Sequence, residues 1–121
     1  MYPFRQLSVW QKAHQLALRV HHASRAMDWR DYPGLAAQMR RSAFSIASNI
    51  AEGAGRSSRP QFAHFLQVAQ GSAHELDYQL LLARDLGALG AADHARLEAR
   101  VQEVRRMLEG LRRRVTSASP G

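Results

Sequence analysis

The chain contains no cysteine, which removes disulfides, thiolate nucleophiles and cysteine-ligated zinc. Lysine is nearly absent too: of 17 basic residues only Lys12 is one, and the rest are arginine. Apolar residues never continue for the roughly 18 positions a membrane span needs. The amino terminus, Met1-Tyr-Pro-Phe-Arg-Gln-Leu7, lacks the basic-then-apolar order of a secretory signal. A soluble, cytoplasmic protein without membrane contact is the expectation. Aromatics make up 7% of the chain and are not interleaved with its arginine clusters, so platforms for base-specific recognition are not expected. Strand-like alternation and solenoid-length repeats are missing as well.

What is present is arginine and apolar residues at helical spacing. The 17 basic residues outnumber 10 acidic ones for a net charge of +7. Such an excess favours polyanions, although an arginine- and alanine-rich composition also follows from GC-rich coding. At 121 residues the chain forms one domain with a modest core.

Four segments carry a helical stripe. The first spans about Leu7 to Met27, with Val9, Ala13, Leu16 and Val20 on one side and Trp10 as its largest anchor. A break at Asp28-Trp-Arg-Asp-Tyr-Pro-Gly34 follows, with Asp31 placed to cap the second helix and Pro33 tolerated in its first turn. That helix runs to Glu52 and stops at Gly53-Ala-Gly55, a signal for a left-handed residue. Ser58 and Gln61 then have capping-box spacing, opening a third helix from Arg59 to Leu86. After Leu86-Gly-Ala-Leu-Gly90 comes a fourth, from Ala92 to Val115, with Leu97, Val101, Val104, Leu108 and Leu111 stepping by four and three. Residues 116–121 are expected to be a disordered tail. Short connections between amphipathic helices make an antiparallel up-down-up-down four-helix bundle over residues 1–115 the economical arrangement.

The stretch from Gln38 to Arg56 has more to bury than one stripe. Leu35, Met39, Ala43, Ile46 and Ile50 form the core face. Gln38, Ser42, Ser45 and Asn49 form a polar stripe beside it, and Ala37, Phe44, Ala47 and Ala51 cover the back. A helix apolar on most of its circumference touches more than one partner. Phe44, Ala37 and Ala51, with Val68, Leu82 and Leu86 on the back of the third helix, are therefore candidates for a subunit contact. Arg41, Ser45, Asn49, Glu52 and Glu75 form a candidate polar cluster in which Arg41 pairs with a carboxylate and fixes helix register.

No catalytic constellation is visible. The histidines at 14, 21, 22, 64, 74 and 94 lack the partner spacing of a metal site, and they read as surface or boundary residues without metal. Glu75 and Asp77 point away from each other on a helix and cannot converge on one substrate. Gly53-Ala-Gly55-Arg56 lacks the Gly-Lys-Ser/Thr of a phosphate loop. A non-enzymatic protein without cofactor is the expectation.

Phe4 with Leu7-Ser-Val-Trp10-Gln-Lys-Ala13, Gln38-Met-Arg-Arg41, Ser45-Ile-Ala-Ser-Asn-Ile-Ala-Glu-Gly53, Phe62-Ala-His-Phe-Leu66, Ala69-Gln-Gly-Ser72, Glu75-Leu76 and Gln79-Leu80 together resemble the four-helix bundle family encoded in intervening sequences of bacterial 23S rRNA genes, called S23-type. The chain is also similar to the accessory protein of diversity-generating retroelements. The resemblance implies a four-helix bundle assembled as a homo-oligomeric ring of five, with no established enzymatic activity, and the second similarity implies association with nucleic acid. Five copies would gather a charge of about +35, enough for steeply salt-dependent binding of a phosphate backbone. The candidate contacts are Arg105, Arg106, Arg112, Arg113 and Arg114, with Arg40, Arg56 and Arg59 as a second group, and RNA or DNA as ligand. The alternative is an adaptor oligomer whose partner is another protein.

Overall fold

The computed structural model describes residues 2–27 and 31–117. Asp28, Trp29 and Arg30 of the expected first break, and residues 118–121 of the expected tail, lie outside the described residues. A short 3-10 turn at Phe4–Gln6 leads into α1 (Ser8–Arg25), followed by α2 (Pro33–Ala54), α3 (Arg59–Asp85) and α4 (Ala91–Ser117). Among the described residues each helix backbone packs on its neighbours in sequence, α4 closes onto α1, and the diagonal helices stay further apart. The result is a square four-helix bundle.

Cross-helix contacts give the helix directions. The Tyr2 N–H donates to the Ala54 carbonyl at the opposite end of α2, while Arg40 at the start of α2 bonds Ser24 at the end of α1. Ser45 meets Ser72 between α2 and α3, Gln70 reaches the Arg105 carbonyl between α3 and α4, and Lys12 pairs with Glu103 between α1 and α4. Each pair of neighbours is antiparallel. The apolar stripes converge on Leu16 and Val20 of α1, Met39, Ile46 and Ile50 of α2, Leu66, Leu76 and Leu80 of α3, and Val101, Val104 and Leu108 of α4, all fully buried.

Several local expectations are corrected. Tyr32, not Asp31, is the α2 N-cap, without a side-chain cap bond. Its hydroxyl instead donates to the Leu86 carbonyl at 3.0 Å, tying the start of α2 to the end of α3. Ser58 does cap α3, accepting the Gln61 N–H at 3.3 Å. Trp10 and Leu35 are half-buried rather than central. Trp10 stacks on His14 with ring centres 4.9 Å apart. Helix α4 continues two residues past Val115, because the Thr116 hydroxyl bonds back to the Arg112 and Arg113 carbonyls at 3.0 and 3.2 Å.

Gly53 and Ala54 lie inside α2, and Gly55 is right-handed, so this stretch is not a left-handed stop. Gly53 is instead a point of close approach between α2 and α3. A Cβ there would sit 2.7 Å from the Phe65 Cβ and 3.1 Å from the Phe62 Cδ1. Among the described residues the left-handed one is Gly87, φ 79°, just after α3. The Ala88 N–H reaches the Ala83 carbonyl at 2.9 Å and the Gly87 N–H reaches Arg84 at 3.0 Å, the paired bonds of a Schellman end.

Candidate nucleic-acid interface

The arginines proposed from sequence as nucleic-acid contacts divide by where their helix turns them. Arg105 faces α3. Its guanidinium lies 2.9 Å from the His74 Nε2 and 3.5 Å from the Asp77 carboxylate. Asp77 also accepts from the Gln102 amide at 3.0 Å. Arg105 is thus a clamp between α3 and α4. Arg112 grips Glu109 with two bonds of 3.0 and 2.7 Å, and Arg113 adds a third of 3.1 Å. Hydrogen bonds from Arg112 and then Arg113 hold the Glu109 carboxyl down at about 2, since donors and positive charge favour the ionised form. The same carboxylate raises Arg112 above its ordinary value.

On α2, Arg40 donates to the hydroxyl of buried Ser24 at 2.9 Å. Arg56 pairs with Glu52 one turn earlier and lies over the Phe65 ring, 4.9 Å from its centre. Arg59 is exposed at the first position of α3. Of the proposed set, Arg106 and Arg114 make no ion pair among the described residues. Arg114 folds back along its helix, its Nη1 3.6 Å from the position of a Cβ on Gly110.

Sequence reasoning missed the arginines on the α1–α4 side. Arg19 and Arg100 also make no ion pair among the described residues, and Arg96 engages Asp93. A helical projection could have found part of the group: Arg96 and Arg114, five turns apart, share one angle, and Arg100 lies beside them. Arg19 joins them only through the register of α1 against α4.

The proposed polar cluster is not assembled as expected. Ser45 and Asn49 do meet: the Asn49 amide donates to the Ser45 carbonyl and hydroxyl at 2.8 and 3.0 Å. Their partner on α3 is Ser72, whose hydroxyl lies 2.8 Å from that of Ser45. Arg41 makes no ion pair with Glu52 or Glu75 among the described residues. Glu52 is taken by Arg56 on its own helix, while Arg41 and Glu75 line an open groove between α2 and α3 with Gln38, Tyr78 and Leu82. Neutral hydroxyls and an amide fill the interhelical position, where a charged pair would need further partners to offset desolvation.

The apolar candidates occupy two places. Phe44 is 47% exposed and stands over a shallow depression with Phe4, Trp10, His14 and Ala51. Ala37 and Ala51 are half-buried and Ala47 is buried, because α1 covers much of that back face. Val68 and Leu86 are exposed, and Leu82 is half-buried in the α2–α3 groove. Large exposed apolar residues also include Tyr78 and Leu81 of α3 and Leu18 of α1, whereas α4 contributes none among the described residues. His94 is buried, not a boundary residue, and its Nε2 lies 3.5 Å from Glu98. Among the described residues no three of His, Asp and Glu converge as metal ligands, and no helix is long and apolar enough to cross a membrane.

The fold and its surface define an all-α, four-helix bundle with arginine-rich outer faces. More particularly, residues 5–110 match the model of the 23S rRNA-intervening sequence protein family, and the chain belongs to that family. Its backbone is similar to the 1.70 Å crystal structure of a protein of unknown function from the S23 ribosomal protein family of Bacteroides thetaiotaomicron VPI-5482. The TM-score is 0.82 at 23% identity, over 87% of this chain and 95% of that one. Among proteins of curated function, none matches the chain.

Proposed function

We propose that this protein is a non-enzymatic homo-oligomer of basic helical bundles, five subunits in a ring, that binds RNA or DNA through the phosphate backbone. The observation that carries the reading is a segregation of surfaces. Of the arginines without an ion pair among the described residues, Arg19, Arg25, Arg100, Arg106 and Arg114 lie on α1 and α4, against Arg40 and Arg41 on α2. Large exposed apolar side chains concentrate on α3 and its end, with Phe44 on α2 and Leu18 on α1, and are absent from α4 among the described residues. Self-assembly through the apolar sides leaves the arginine-bearing side for a polyanion, and repetition around a ring multiplies its charge.

Two measurements test the reading. Generic RNA and DNA should bind at low salt, with log K falling linearly against log salt concentration; failure to bind at low salt removes the nucleic-acid role and leaves the protein-adaptor alternative. Separately, Phe44→Glu should yield smaller assemblies by light scattering while circular dichroism keeps its helical signal, because a carboxylate on a covered apolar face has no cation to meet. An unchanged mass would show that Phe44 is not in the subunit contact.

A further inference from the structure

A cleft of about 350 Å³ lies between the second half of α1 and the first half of α4. Arg19 and His22 stand on its α1 side and Arg96 and Arg100 on its α4 side. Its apolar lining is half-buried Ala23, exposed Ala26 and, at the bottom, buried Leu97. One carboxylate, Asp93, lines it and is engaged by Arg96. Three guanidiniums against one carboxylate leave the cleft positive without counting His22.

A basic rim alone suits any polyanion, but a rim above an apolar floor is more selective. A duplex turns its bases inward and presents phosphates on a convex surface, to which the floor offers nothing. An unpaired nucleotide carries a phosphate beside a flat apolar face, and that face stacks on guanidinium or imidazole planes and on apolar side chains. Guanidinium suits the phosphate because its forked donors match the phosphate oxygens and it is weakly hydrated. We infer that this cleft seats an unpaired nucleotide of an RNA or DNA strand. Arg19 and Arg100, the two rim arginines without an acidic partner, hold the phosphate. The base lies over Ala23, Ala26 and Leu97 beside His22, so recognition is sequence-tolerant. The inference rests on the nucleic-acid reading above and narrows it to one place and one form of ligand.

The test uses the full chain and fluorescence anisotropy with labelled RNA and DNA single strands of about 12 nucleotides, and blunt duplexes of the same length. Single strands should bind more tightly than duplexes, and the RNA and DNA arms decide which strand is the ligand. Arg19→Gln with Arg100→Gln should weaken single-strand binding about tenfold or more and flatten the log–log salt slope by about 0.7, the share of one phosphate. Asp93→Asn, which frees Arg96, should shift affinity the opposite way and raise it severalfold. Dichroism and mass should be unchanged in both variants. Wild-type binding undiminished by the double variant, or duplex bound as tightly as single strand, overturns the cleft while leaving the broader reading in place. No binding by the wild type under any low-salt condition removes that reading itself.

Discussion

Gly53→Ala is expected to destabilise the bundle by about 1–3 kcal/mol, and Gly53→Val by more. The direction is the informative part. In an exposed helix interior, glycine to alanine gains up to about 1 kcal/mol, because alanine orders fewer backbone states on folding. At Gly53 the added methyl would lie 2.7 Å from the Phe65 Cβ, 3.1 Å from the Phe62 ring and 3.3 Å from the Phe62 carbonyl. Neither a Cβ nor a carbonyl is the loose end of a flexible side chain, so relief requires α3 to move away from α2. That movement would strain the Ser45–Ser72 contact two turns along. Urea unfolding reads the effect as a lower midpoint with an unchanged slope. A midpoint raised by Gly53→Ala would mean that the helices do not approach each other closely here.

The second large effect separates two neighbours in sequence. Leu80 is fully buried and Leu81 is 39% exposed. Leu80→Ala should cost about 2–5 kcal/mol, the transfer of the lost methyl groups plus the cavity left behind, a large part of the 5–15 kcal/mol typical of a domain. Leu81→Ala should cost about 1 kcal/mol or less, since its side chain already meets water. Paired chemical denaturation curves check the rotational setting of α3. Equal losses at the two positions would mean that α3 is turned from the orientation described.

The helices were legible because their evidence is local. A stripe stepping by four and three states which side of a helix is inward, and Leu97, Val101, Val104 and Leu108 are buried as their spacing requires. Ser58, two residues before Pro60, likewise signals its own cap. What lies between helices was not legible in the same way. Arg105 and Arg106 are adjacent in sequence, yet about 100° of helical rotation sends one into Asp77 and His74 and leaves the other facing outward. Gly53 followed by Gly55 has the local signature of a helix end, and only the position of Phe65 on another helix shows that it marks a close crossing. Arg41 found no carboxylate because Glu52 has a nearer cation, Arg56, on its own helix. The α1–α4 cleft needed the register of two helices some 80 residues apart, which no local pattern encodes.

That same separation has a consequence for how the chain is tied together. Contacts between α1 and α2, α2 and α3, and α3 and α4 each form within a hairpin of sequence neighbours, at little cost in loop entropy. The seam between α1 and α4 is the one helix pairing that must bring distant parts of the chain together, and it is the sparsest of the four. A strand lying across it, gripped by Arg19 on one side and Arg100 on the other, would act as a brace on the joint that connectivity favours least.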